Sequence, residues 1–259
     1  MLSKNKTKWN KNIKELNLHD CANIKDFNPI SKLERLEKLD VNYTKISDIS
    51  FLEKNKNIKE LYLHAWKNIE DFTPISKLER LEKLDVRDTN ISDISFFEKN
   101  KNIKELNLHG YKNIKDFTPI SKLERLEKLN VRYTNISDIS FLEKNKNIKE
   151  LDVCGCENIK DFTPISKLER LEKLNVRNTN ISDFSFLEKN KNIKELKLIG
   201  CRNIKDFTPI SKLEKLEILS VSYTNISDIS FLENKKNIKE LNLSGCENIK
   251  DFTPISKLE

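Results

Sequence analysis

Glycine is scarce in this chain, with four residues in 259. None of the four belongs to a glycine-rich loop, so no phosphate cradle can be built from them. Long apolar runs are missing too. No stretch nears membrane-spanning length, and the opening MLSKNKTKWN holds no apolar leader core, so a cytoplasmic location with no membrane partner is expected. Charge of one sign is not concentrated either: the net charge is +7, but Lys and Glu are interspersed. A nucleic-acid reader would gather its basic residues into a stripe with stacking aromatics, which disfavours that class of partner.

What the chain has in excess is repetition. Taking Ile13 as the phase mark, the same isoleucine returns at Ile58, Ile103, Ile148, Ile193 and Ile238, a period of 45 residues with no insertion. The 45 residues are two units sharing the skeleton L-x-x-L-x-L-x-x-[C/T]. A units start at 13, 58, 103, 148, 193 and 238, and B units at 36, 81, 126, 171 and 216, so eleven units fill 13–259 and leave 1–12 as an N-terminal cap or tail. The L-x-L alternation predicts a short strand with its leucines inward and the residues between them outward. No unit can bury its own apolar face, so the fold exists only as a stack.

That skeleton resembles the leucine-rich-repeat family, which implies an α/β solenoid: a horseshoe with a concave parallel β-sheet and short helical or 3-10 turns on the convex side. NISDISFLEKNKNIKEL and DFTPISKLERLEKL look most like the short-repeat class that includes the internalins and a nuclear phosphatase regulator. The cysteine-bearing A unit also resembles the subclass found in ubiquitin-ligase adaptors. Near-identical tandem copies rich in Lys, Asn and Ile are similar to leucine-rich-repeat gene families of AT-rich genomes, including large DNA viruses of insects, which would imply a host cytoplasm. The matching motifs carry no binding residue over.

The return segments repeat closely. All six prolines occupy one column, Pro29 to Pro254, and Thr precedes five of them, which predicts a Thr N-cap before a first-turn proline. Ser50-Phe51-Leu52-Glu53 and its copies predict a capping box. Asp48 and Asp93 read as turn or capping groups, and the thirteen phenylalanines as core.

Variation gathers on the outward strand positions. His19, His64 and His109 share one outward column of the A units, and Arg87, Arg132 and Arg177 the equivalent column of the B units. Tyr43, Tyr62, Tyr111, Tyr133 and Tyr223 lie in or beside strands. Cys21, Cys156, Cys201 and Cys246 fill the inward place that Thr fills in B units, while Cys154 reads as outward. A units lie two strands, about 10 Å, apart, too far for a disulfide or for a zinc site built on the histidine column, so no metal or other cofactor is expected. Trp66 and Tyr111 are oversized for the inward place, so either the turn opens there or the rings swing outward; in the second case they would join Tyr62, His64, Arg87, Asp88, His109, Arg132, Tyr133 and Arg177 in one contact surface. The expectation is a non-enzymatic module that binds a protein partner on its concave face. A nucleic-acid or acidic-surface binder and a structural spacer are the alternatives, and the C-terminal unit is a candidate for end-to-end self-association.

Overall fold

In the computed structural model, which describes residues 12–64 and 68–258, eleven three-residue strands form one parallel sheet in sequence order. They are β1 (Glu15–Asn17), β2 (Lys38–Asp40), β3 (Glu60–Tyr62), β4 (Lys83–Asp85), β5 (Glu105–Asn107), β6 (Lys128–Asn130), β7 (Glu150–Asp152), β8 (Lys173–Asn175), β9 (Glu195–Lys197), β10 (Ile218–Ser220) and β11 (Glu240–Asn242). The register never slips: Leu39 pairs with Leu61, Leu61 with Leu84, and so on to Leu219 with Leu241. Each unit returns through one five-residue 3-10 turn on the convex side, such as Thr73–Lys77 or Ser95–Lys99.

Units that alternate strictly between 23 and 22 residues hold that register, but a parallel in-register stack places each residue beside its counterpart. A single repeat would therefore pile lysine on lysine, and like charges directly opposite are destabilising. The A/B alternation removes the problem. A units read Lys-Glu-Leu where B units read Glu-Lys-Leu, so two charge ladders run across the sheet in opposite phase. On one, Lys59, Lys104, Lys149 and Lys194 reach Glu37, Glu82, Glu127 and Glu172 at 2.7–2.8 Å. On the other, Lys83 meets Glu105 at 2.8 Å, and Lys128 lies between Glu105 and Glu150 at 3.6 and 3.4 Å. The pairing holds the Glu37 carboxyl down to about 2, through its hydrogen bonds from Lys59 and Lys14.

The core is a continuous column of leucine, isoleucine, valine and phenylalanine between sheet and turns. Phe96 and Phe231 are only half-buried and Phe252 is exposed, so three phenylalanines depart from the all-core expectation. Beside the core runs a ladder of fully buried asparagines. Asn145 Nδ2 donates to Ile120 O and Leu123 O, both at 3.0 Å, tying its unit to the one before, and Asn55, Asn100 and Asn190 do the same. In the last B unit Lys235 takes that place, its Nζ donating to Ser211 O and Leu213 O at 2.7 and 2.9 Å, and burial pushes its pKa down.

The helix-cap expectation needs correction. The residue at the N-cap is Phe or Ile, and no side chain caps the turn in the way a Thr N-cap or a Ser-x-x-Glu box would. The cap is the aspartate two residues before the turn begins: Asp71 Oδ1 accepts from Thr73 N and Asp48 Oδ1 from Ser50 N, each at 2.8 Å. These hydrogen bonds hold Asp71 and its copies Asp116, Asp161 and Asp206 below the usual carboxylate range. A five-residue 3-10 turn is too short to need the reciprocal box of a longer helix.

Candidate functional site

Three outward columns cross the concave side, followed by a left-handed turn. The first column is the Glu/Lys ladder already described. The second runs Asn17, Asp40, Tyr62, Asp85, Asn107, Asn130, Asp152, Asn175, Lys197, Ser220, Asn242, one residue per strand. Together the first two columns floor an open groove of about 510 Å³ from Tyr62 on β3 to Lys197 on β9. Much of that floor is internally satisfied. Asn175 Nδ2 donates to Asp152 Oδ2 at 3.1 Å, and Asp152 Oδ1 accepts from Cys154 N at 3.0 Å, although burial still pushes the Asp152 carboxyl upward.

Tyr62 is the large ring of the floor. It lies half-buried with Lys38 and Lys83 at 5.9 and 5.7 Å from its centroid, and its hydroxyl donates to Glu60 Oε2 at 2.8 Å. Burial, with the Glu60 bond second, pushes its pKa up to about 12, so it is a neutral donor at physiological pH.

The third column and the left-handed turn make a rim along the C-terminal ends of the strands. Here His64 Nε2 lies 2.8 Å from Asp88 Oδ2, and the Tyr43 ring sits edge-on between His19 and His64 at 5.2 and 4.7 Å. Two strands on, His109 contacts Tyr133 at 5.5 Å, and the Arg132 guanidinium lies over the same ring at 5.5 Å. Burial and then the Arg132 charge push the His109 imidazole below its usual range, which keeps it neutral. Arg87 is tied back by Nε to both oxygens of Asp85 at 2.9 and 3.0 Å, and Arg132 reaches Asp152 at 3.8 Å.

Among the described residues, the turns that end the strands take positive φ. Tyr43, Asp88, Tyr133, Asn178 and Tyr223 supply it in the B units at 52–56°, and Asp20, Gly110, Gly155, Gly200 and Gly245 in A units. The glycines have a second reason. A Cβ on Gly155 would collide with the Tyr133 ring, and one on Gly245 would lie 2.6 Å from the Tyr223 ring. Tyr133 and Tyr223 therefore each rest one edge on the bare backbone of the next unit and turn the rest of the ring to solvent. Tyr43, Tyr133 and Tyr223, at 45, 39 and 58% exposure, are with Phe252 the exposed large hydrophobic side chains among the described residues.

Several expected site residues fall elsewhere. Tyr111 points inward: it is 3% exposed, and its hydroxyl is engaged with Thr89 Oγ1 and Val86 O. The neighbouring B-unit threonine supplies a polar partner, so the ring is held in the core and leaves the contact surface. Trp66 lies outside the described residues. Cys154 takes a third-column position but is fully buried on a rim whose neighbours are the long Arg132 and Arg177. The other inward places behave as expected: Thr134 Oγ1 donates to Val131 O at 2.8 Å, and Cys156 Sγ to the same carbonyl at 3.0 Å. All five cysteines are free thiols, and burial pushes Cys156 and Cys201 upward, away from reactivity. Among the described residues no group of three or more His, Cys, Asp or Glu could hold a metal, and no helix is long and apolar enough to cross a membrane.

Residues of real prominence were also missed. Tyr43 and Tyr223 belong to the rim as fully as Tyr133 does, and their signal was the tyrosine set one unit before a Gly or Ala in the turn column. Lys197, Ile199, Arg202 and Ile218 stand where the repeat carries other residues, and that break in pattern was readable.

Six segments, 11–54, 34–77, 79–122, 124–167, 169–212 and 214–257, match the family described as Leucine Rich repeats (2 copies). The chain belongs to the leucine-rich-repeat family. Comparison by sequence with curated proteins gives no match. Among solved structures it is similar to an internalin, InlF, of Listeria monocytogenes, at 27% identity over 96% of this chain and 85% of that one, with a TM-score of 0.75. It also resembles a leucine-rich-repeat protein of Leptospira interrogans at 23% identity over 89% of this chain and 60% of that one, TM-score 0.79. The Arabidopsis receptor kinase HAESA, solved with a peptide hormone and a co-receptor, shares the fold at 15% identity over 90% of this chain and 46% of that one, TM-score 0.68. Leucine-rich-repeat proteins are in general protein-interaction modules, and this chain has their sheet, their turns and their inward column.

Proposed function

We propose that the chain is a non-enzymatic module that holds a protein partner on its concave side, with contact centred on the rim from β2 to β6. Tyr62, His64, Arg87, Asp88, His109, Arg132 and Tyr133 carry it together with Tyr43. One observation carries the reading: the exposed large aromatic rings of the sheet side, Tyr43, Tyr133 and Tyr223, all stand in one rim column, each on a residue of positive φ. A bulky non-glycine residue in that conformation is locally unfavourable, and tyrosine is among the residue types that dominate protein interfaces. The floor of the groove is a closed network of ion pairs and amides, which suits it to exclude water around the rim contacts rather than to anchor a ligand. Five free thiols fit a reducing, cytoplasm-like compartment.

The test is affinity capture from the organism of origin with three baits. Replacing Tyr43, Tyr62 and Tyr133 by Ala should weaken the captured partner's binding by more than about 2 kcal/mol, while replacing Lys77, Glu79 and Lys99 on the convex side leaves it intact. Lys83 lies in β4 on the groove and is no convex control. Equal retention by both variants would refute the reading.

A further inference from the structure

The three rim arginines are not equivalent. Arg87 and Arg132 are half-buried and balanced by Asp85 and Asp152. Arg177 is exposed: its backbone N–H donates to Asn175 Oδ1 at 3.1 Å and its carbonyl accepts from Gly155 N at 2.8 Å, while its guanidinium pairs with no side chain among the described residues. The reason is legible in the second column. Beside Arg132 the next strand offers Asp152, whereas beside Arg177 the next strand offers Lys197, itself paired with Glu195. From one A unit to the next the column has thus exchanged a carboxylate for an ammonium, and the arginine is left without its counter-ion.

A second unbalanced guanidinium stands close by. Arg202 is exposed on the turn after β9, and among the described residues no carboxylate lies within ion-pair distance of either arginine. Arg177 and Arg202 line one cavity of about 510 Å³ with Asn178, Ile199, Tyr223 and, at its β7 end, Glu157. Asn178 sits in the left-handed turn with its Oδ1 against the bare Gly200, which leaves its amide group as a donor. Half-buried Ile199 stands where the third column otherwise holds a polar residue or Cys154, and Tyr223 is the most exposed tyrosine of the rim. The cavity therefore offers two forked donors, an amide, an aliphatic wall and an aromatic face.

We propose that this cavity is a second recognition site, specific for an acidic segment of a partner polypeptide, whose Asp or Glu carboxylate is clamped between Arg177 and Arg202 with an apolar neighbour against Ile199 and Tyr223. Guanidinium forks match carboxylates bidentately, and removing water around them strengthens the bond. Glu157 opposes the ligand's charge and limits affinity. The site rests on the reading of the concave side as a protein-binding surface, but it is centred on the rim after β8 to β10, beyond the β2–β6 contact, and is tested without the native partner.

The probe is a labelled hexaglutamate peptide, read by fluorescence polarisation at about 50 mM salt, where charge pairing is weakly screened, with hexaglutamine and inorganic phosphate beside it. Arg177→Gln with Arg202→Gln should weaken hexaglutamate binding at least tenfold, whereas Lys77→Gln with Lys122→Gln, which removes the same charge from the convex side, changes it less than twofold. Glu157→Gln should tighten it. Hexaglutamine binding as well as hexaglutamate, equal loss from the convex pair, no response to Glu157→Gln, or phosphate displacing the peptide at equal concentration would each overturn the proposal. Failure of the tyrosine variants in the capture experiment leaves this result unaffected, so the two readings fall separately.

Discussion

Gly155→Ala separates the two demands that the rim places on one backbone. The residue has φ +71°, where an L side chain costs about 1–2 kcal/mol. Its new Cβ would also drive into the Tyr133 ring, and overpacking of that kind costs about 1–3 kcal/mol more. The single variant should therefore lose about 2–5 kcal/mol locally. With Tyr133→Ala in place the ring is gone and only the conformational part remains, about 1–2 kcal/mol. The coupling between the two sites should be about 1–3 kcal/mol, in the range measured for residues in contact. Global unfolding is a poor reporter in a stack whose units open semi-independently. The useful probes are the amides that bridge these turns, Tyr133 N to Cys154 O and Gly155 N to Arg177 O, both at 2.8 Å. Native-state hydrogen exchange at these two should accelerate about thirtyfold for each 2 kcal/mol lost. If Gly155→Ala speeds exchange by the same factor in the wild-type and the Tyr133→Ala backgrounds, the ring does not rest on this glycine and the account of the rim is wrong.

Two further outcomes test the frame that carries the site. Asn145→Ala removes both Nδ2 bonds and leaves Ile120 O and Leu123 O with only their turn bonds from Leu123 N and Leu126 N, a loss of about 1–3 kcal/mol; exchange at Leu123 N and Asn145 N should report it, and unchanged protection would refute the ladder. Asp152→Asn should gain on the wild type as pH rises. The folded Asp152 pKa is raised by burial, so between the unfolded value and that raised value the folded state binds more protons, and wild-type stability falls across this window as pH increases. The asparagine, which the sibling strands carry at Asn107, Asn130 and Asn175, does not titrate, and a stability difference constant from about pH 4 to about pH 7 would contradict the burial argument.

Much of this was legible in the sequence because the repeat is its own control. Eleven copies without an insertion dictated the register, the inward leucines and the place of every turn, and all of these appear in the structure. What was not legible depends on partners one unit away. Tyr111 reads as oversized until Thr89, 22 residues earlier, is seen to receive its hydroxyl. Cys154 reads as outward until the lengths of the flanking arginines are considered. The Thr-Pro and Ser-x-x-Glu patterns suggested helix caps that the turns are too short to need, whereas Asp48 and Asp93 do cap, as their reading as turn or capping groups implied.

The structure also changes the weight of one inference about function. Constancy on the convex side and at the sheet margin had suggested that variation on the concave side marks binding. Many of the constant residues turn out to be rungs: Asn55 and its copies hold backbone carbonyls, Asn57 Nδ2 donates to Glu34 O at 2.7 Å, and Arg80 bonds Asn57 Oδ1 at 2.9 Å. Their constancy is explained by packing alone. Variability therefore does not mark a binding surface by itself; what the variable positions present does. A drifting surface has no reason to keep the Tyr43, Tyr133 and Tyr223 rings on backbone of positive φ, two of them over a glycine that leaves no room for a side chain. Nor does drift explain why two guanidiniums share a cavity in the one stretch of rim where the balancing aspartate has become Lys197.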